Sequence, residues 1–458
     1  MISEILDREF VLTQARLIQK HLSGPPTSSR RRSSPMDAVG VIDKEAAELL
    51  DSAIQSEDAA RSTARRGGTP TPSAERSPKE PYISSDPIIS IVQSALEEYL
   101  RDPTSPDREK VVRRGVDESF VTDNEVIGKR SSRDRRIFEK FSVTDIGWVS
   151  SLVAMGIRKF KSPHPFNPEP APTHILSDRC RLIVVGDWGS GVPRAQKTAA
   201  SMRNHLKSAM DAGLECHVVH LGDVYYSGFE YEYRDRFLAY WPVYPDEASL
   251  VGSWCLNGNH DMYSGGHAYF NYLLKDPRFA RQARSSFFCL ANKHWQILGL
   301  DTAWDDDGLK DPQASWVKKR VSDNDSKTMI LTHHQLFSAR EHSSDIGKVL
   351  REKLGSVLDA RKIDAALWGH EHRCVLYEPY GNVKYARLIG HGGVPVWADD
   401  SDSALPKPGM FQSRGFMTSM LGEKFAYMGY AVLDFDQSKI SANYFDENGK
   451  LETSEIIS

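Results

Sequence analysis

The stretch Arg181-Leu-Ile-Val-Val-Gly-Asp-Trp-Gly189 joins an apolar, β-branched run to a turn carrying a carboxylate. A run that is apolar at nearly every position reads as a strand covered on both faces. The same sentence of sequence returns along the chain. His217-Val-Val-His-Leu221 leads into Gly222-Asp223-Val224-Tyr225-Tyr226, Thr328-Met-Ile-Leu-Thr332 into His333-His334, and Ala365-Ala-Leu-Trp368 into Gly369-His370-Glu371-His372. Trp295 to Leu300 is a further run of this type, and Gly258-Asn259-His260-Asp261 is a further turn. Helical patterns fill intervals between them, over Ala195 to Ala212 and Asp345 to Arg361. Alternation of buried strands with helices predicts a layered α/β sheet. Tyr427 to Asp436 and Ile440 to Tyr444 read as a closing strand pair.

In such sheets functional groups gather at the C-terminal ends of the strands, and every candidate here follows one. The side chains on offer are carboxylates, phenols, a carboxamide and imidazoles, with no thiolate. Hard oxygen mixed with borderline nitrogen suits Fe, Mn or Zn. About seven donors exceed the needs of one ion. Two ions roughly 3.5–4 Å apart, sharing one carboxylate, would use them all and supply a bridging hydroxide for in-line attack on phosphorus.

The order Gly-Asp, Gly-Asp-x-x-Tyr, Gly-Asn-His-Asp, His, Gly-His-x-His over about residues 180–395 resembles the calcineurin-like metallophosphoesterase superfamily. Where the common first motif has a histidine two residues after its aspartate, this chain has Gly189; Tyr226, three residues after Asp223, is similar to the tyrosine of purple acid phosphatases. The resemblance implies a four-layer αββα metallophosphoesterase sandwich over residues 176–458. It also implies that Asp187, Tyr226 and His372 hold one metal, Asn259, His333 and His370 the other, and that Asp223 bridges them. The neighbouring Tyr225 is the alternative inward phenol. Fe paired with Fe, Zn or Mn is the expected cofactor. His260 and His342, nine residues after His333, match the positions that face the phosphoryl group and protonate the leaving oxygen. Departures are His334 and Gln335, the latter where the family often has proline. Hydrolysis of a phosphate ester, a monoester first, is the implied reaction; diester cleavage on a nucleotide or lipid head group is the alternative within enzymes.

Other histidines and carboxylates read as structural. His217 and His220 alternate on a strand, and Asp301 reads as a turn former. His267 and His391 lie on glycine-rich loops where substrate contact and a purely structural role weigh equally.

Residues 1–175 have a different texture. Ile2, Ile5, Leu6, Leu17 and Ile18 predict a helix ending near Gly24-Pro25-Pro26, and Ile88, Ile91, Val92, Ala95, Leu96 and Tyr99 predict another; Val143 to Phe160 repeats the pattern. Between them lie a basic, serine-rich run at Arg30 to Pro35 and a proline-rich segment over 61–87 whose composition predicts disorder. An N-terminal helical and partly disordered extension is therefore expected, with a regulatory or scaffolding role and a protein partner as the competing function. The 458 residues carry Lys+Arg 58 against Asp+Glu 62, a net charge of -4, which argues against nucleic acid as a bulk partner. Five scattered cysteines argue against a disulfide framework, and no run is long and apolar enough to span a bilayer. A cytoplasmic enzyme acting on a phosphorylated substrate is the expectation.

Overall fold

Strands β2 (Arg179–Val185), β3 (Glu215–His220) and β4 (Gly252–Cys255) run parallel in consecutive pairs, and β14 (Gly429–Asp436) adds antiparallel to β2. With β15 (Lys439–Asp446) and β16 (Leu451–Ile457) they make a six-stranded sheet of order β16-β15-β14-β2-β3-β4. A second sheet of eight strands has the order β1-β5-β6-β7-β8-β10-β9-β11. Its members are β1 (His174–Ile175), β5 (Phe288–Ala291), β6 (Trp295–Gly299), β7 (Lys327–Thr332), β8 (Ala365–Trp368), β9 (Cys374–Tyr377), β10 (Tyr385–Ile389) and β11 (Pro408–Gln412), with β6, β7, β8 and β10 parallel. A small hairpin joins β12 (Phe416–Thr418) to β13 (Lys424–Ala426). This is a computed structural model that describes residues 8–23, 45–59, 82–101, 153, 156–157, 159–341, 344–398, 408–413, 415–418 and 424–458, with backbone alone at 99–101 and 408–412.

The two sheets face one another. Leu182, Val184, Val219, Leu221 and Leu433 from one, and Leu290, Ile297, Met329, Leu331 and Leu367 from the other, form one buried cluster. Alternate residues of each strand supply it because successive side chains point to opposite faces. The opposite faces are covered by helices. Helix α3 (Pro193–Asp211) lays Ala195, Ala199, Met202 and Leu206 against the first sheet, while α4 (Gln313–Ser322) and α5 (Lys348–Asp359) bring Val317, Val321, Leu350 and Leu354 to Leu298, Ile330 and Trp368 of the second. The result is the expected helix, sheet, sheet, helix sandwich.

Two compact units divide the chain: Met1–Pro163 with Tyr263–Gly265, and His164–Met262 with Gly266–Ser458. In the first, α1 (Arg8–Ser23), helical residues 45–59 and α2 (Pro87–Arg101) pack on each other through Val11, Ala15, Ile18, Leu50, Ile89 and Val92. Asp86 caps α2, accepting from the N–H groups of Ile88 and Ile89 at 2.8 and 3.0 Å. The basic run at 30–35, most of the proline-rich segment and most of 143–160 lie outside the described residues. Among the described residues no helix is long and apolar enough to cross a membrane.

Candidate metal centre

The parallel strands of both sheets end at one edge of the sandwich, and the loops leaving them are stitched together by backbone hydrogen bonds. Asp187 N–H donates to Gly222 O at 3.0 Å, and Gly369 N–H to His333 O at 3.1 Å. Three of the predicted ligands, Asp187, Asp223 and His370, have positive φ (56°, 77° and 71°). That conformation costs an L residue roughly 1–3 kcal/mol, and clusters of it mark functional sites. Neighbouring glycines make the close approach possible. A Cβ on Gly258 would stand 2.1 Å from Asp223 Oδ1, and one on Gly369 would stand 2.5 Å from Asp187 Oδ2.

Six of the seven expected ligands converge. Asn259 Oδ1 lies 2.9 Å from His333 Nε2 and 3.0 Å from His370 Nδ1. Asp223 Oδ2 is 3.5 Å from His333 Nε2, and Asp187 Oδ1 is 3.7 Å from His372 Nε2. His333 Nδ1 donates to Leu221 O at 3.1 Å, which fixes the tautomer and leaves Nε2 with its lone pair toward the cluster.

The phenol beside the carboxylates is not the expected one. It is Tyr225, not Tyr226, whose hydroxyl stands 3.1 Å from Asp187 Oδ1, 3.2 Å from Asp223 Oδ2 and 3.0 Å from His372 Nε2. The ring of Tyr226 lies 5.3 Å from the Arg236 guanidinium. The cause is the loop path: buried Glu232 accepts from the N–H groups of Tyr226, Ser227 and Phe229, and Arg236 donates to the Tyr225 carbonyl, so the backbone presents residue 225 to the carboxylates.

His260 donates from Nδ1 to Tyr226 O at 2.6 Å, and its ring stands 4.6 Å from that of Tyr225. His342 lies outside the described residues. Spacing alone overlooked two groups. Asp261 accepts from the N–H groups of Gly258, Asp223 and Val224 at 2.6, 2.9 and 3.2 Å and from the Tyr233 hydroxyl, tying the second motif to the third. His334 brings a third imidazole beside His333 and His370, held through Nδ1 to Thr302 O at 3.1 Å. Its only signal in sequence was adjacency to His333.

The electrostatics are those of a cation site. Burial pushes the carboxyls of Asp187 and Asp223 well above the usual carboxylate range, and their negative neighbours push Asp223 further. Burial likewise holds His333 well below its ordinary value and His260 and His372 down to about 3, so the imidazoles are neutral, the form that ligates metal. Among the described residues neither carboxylate has a Lys or Arg ion-pair partner, and the oxygen and imidazole donors gathered around them are of a type that suits metal ions.

The other histidines have other work. His217 donates from Nε2 to Glu215 at 3.0 Å and accepts from Trp254 Nε1–H at 3.3 Å, so both ring nitrogens are engaged although His174, Glu215 and His217 lie close enough to share an ion. His220 packs against Trp188 and Phe237, and His267 against His164. Asp301 is a turn former, accepting from the N–H groups of Ala303 and Trp304.

The family model for the calcineurin-like phosphoesterases matches residues 180–374. No curated protein matches the chain. Among solved structures, GAP50, the anchor in the inner membrane complex of Plasmodium, is 13% identical with a TM-score of 0.42, covering 61% of this chain and 89% of that one. A dimetal phosphatase from Danio rerio is 12% identical with a TM-score of 0.38, covering 63% and 99%. A predicted phosphoesterase from Streptococcus pneumoniae is 12% identical with a TM-score of 0.26, covering 61% and 97%.

Proposed function

We propose that this chain, whose residues 180–374 match the calcineurin-like phosphoesterase family model, is a metal-dependent phosphatase that hydrolyses phosphomonoesters at a pair of metal ions. The observation that carries the reading is the position of Asp223. One of its oxygens stands within 3.5 Å of both the Tyr225 hydroxyl and His333 Nε2, between a group of Asp187, Tyr225 and His372 and a group of Asn259, His333 and His370. A carboxylate so placed can serve two ions at once. Bound there, the ions supply Lewis acidity toward the phosphoryl oxygens and an activated water.

The chain's own residues supply the rest. Asn259 sets one oxygen beside His333 Nε2 and His370 Nδ1, where all three would face one ion, and Leu221 O locks the His333 tautomer. His260, whose Nδ1 donates to the Tyr226 carbonyl, would take up a proton from solvent at Nε2 and hand it on to the leaving oxygen. A phenolate from Tyr225 favours Fe(III), with Fe, Zn or Mn as its companion.

The test is hydrolysis of 4-nitrophenyl phosphate against bis(4-nitrophenyl) phosphate by the full chain. Asn259→Ala and His370→Ala are each expected to lower turnover of the monoester by at least about a hundredfold and to lower metal content. Undiminished turnover in either variant overturns the metal-site assignment. A strong preference for the diester overturns the monoester assignment while leaving the metal site in place.

A further inference from the structure

His391 is buried at 4% exposure, and among the described residues neither of its ring nitrogens has a hydrogen-bond partner. An orphaned buried imidazole costs roughly 1–3 kcal/mol. Such a group calls for a partner that the described residues do not supply. Its surroundings identify the kind of partner. His391 lines a pocket with His372 of the metal centre, the cations Arg373 and Lys424, and the rings of Trp397 and Tyr427. The loop that carries it is bound to the loop of Asp187, since Gly392 N–H donates to Gly186 O at 3.0 Å. A Cβ on Gly390 would stand 2.9 Å from Asp187 Oδ2, so the backbone leading into His391 passes beside that carboxylate. Room for the ring is kept by Gly429, where a Cβ would come 2.6 Å from His391 Nε2.

Resting on the phosphatase reading, we infer that this pocket is a subsite for a second anionic group carried by the leaving group of the phosphate ester, with His391 donating to that anion. Two cations supply attraction, and the rings supply a face for a planar leaving group. A phosphate ester of a small alcohol with no second charge would leave His391 unpaired. Substrates with a carboxylate or further phosphate a few bonds from the scissile phosphorus would satisfy it.

The test compares 3-carboxyphenyl phosphate with its isosteric carboxamide, 3-carbamoylphenyl phosphate, on the full metal-loaded chain. Wild type is expected to favour the carboxylate in kcat/KM by about tenfold or more, mostly through KM, the scale of one hydrogen bond to a charged group. His391→Ala and Lys424→Met are each expected to reduce that preference to about threefold or less. Because Lys424 is exposed, Lys424→Met decides the matter should His391→Ala fail to fold. Equal kcat/KM for the two esters in wild type, or a preference that survives in a folded variant, overturns the subsite and leaves the phosphatase standing. Failure to hydrolyse either ester overturns the phosphatase reading and the subsite with it.

Discussion

Two adjacent tyrosines separate what spacing can say from what packing decides. Counting three residues from Asp223 selects Tyr226, yet the phenol among the carboxylates belongs to Tyr225, while Tyr226 lies by Arg236. The deciding interactions are made by Glu232 and Arg236, both more than five residues downstream and both buried. Tyr225→Phe is therefore expected to reduce phosphate ester hydrolysis and metal affinity by about 10–100-fold, whereas Tyr226→Phe should stay within a few-fold of wild type. Should Fe(III) occupy the centre, the purified chain is coloured and only Tyr225→Phe loses the band. Colour lost in Tyr226→Phe and kept in Tyr225→Phe would return the ligand to the position that spacing selects.

At the scale of elements, the loops carry the chemistry and buried carboxylates hold the loops. Asp261 gathers four donors from three segments, so it works as the clasp between the Gly222 and Gly258 turns. Asparagine keeps its shape but loses the charge and half of the accepting capacity. Asp261→Asn is expected to lower stability by about 2–4 kcal/mol in denaturant titration, with metal binding weakened in parallel. A variant as stable as wild type would remove Asp261 from that role. The strands that feed these loops were legible because they are buried on both faces: the runs 181–185, 328–332 and 365–368 end with their strands, and the run 217–221 overshoots β3 by one residue, since β3 ends at His220. Strands with weaker patterns were not. β4 is four residues that include Gly252 and Ser253, and β16 is an edge strand whose Glu452, Thr453, Ser454 and Glu455 keep it polar. Edge strands are kept charged to discourage pairing with other chains, which erases the apolar signal that sequence reading needs. The site was legible for the opposite reason, since metal ligation restricts residue type at each position, while the carboxylates that merely clasp the loops, Glu232 and Asp261, obey no such restriction.

Across the whole molecule the net charge is only -4. Asp187, Asp223 and Asp261 lie buried in one cluster, and burial raises all three, Asp261 to about 6. Three raised carboxyls mean that folding without cations either protonates the cluster or carries like charges at close range, and both are unfavourable near neutral pH. Cations that bind the folded chain and not the unfolded one reverse this, stabilising by about 4 kcal/mol when present at a thousand times their dissociation constant. For a unit of this size that corresponds to roughly 8–16 °C in melting temperature, at about 2–4 °C per kcal/mol. Chelation with EDTA is thus expected to lower the melting temperature by roughly 10 °C at pH 7 and to abolish hydrolysis together with it. Restoring Mn or Zn should recover both. The loss should shrink as the pH falls through about 6, because protons then neutralise the carboxyls that the cations would otherwise hold. A melting temperature indifferent to chelator across that range would mean that the carboxylate cluster is satisfied by the protein alone, and the metal centre would have to be abandoned.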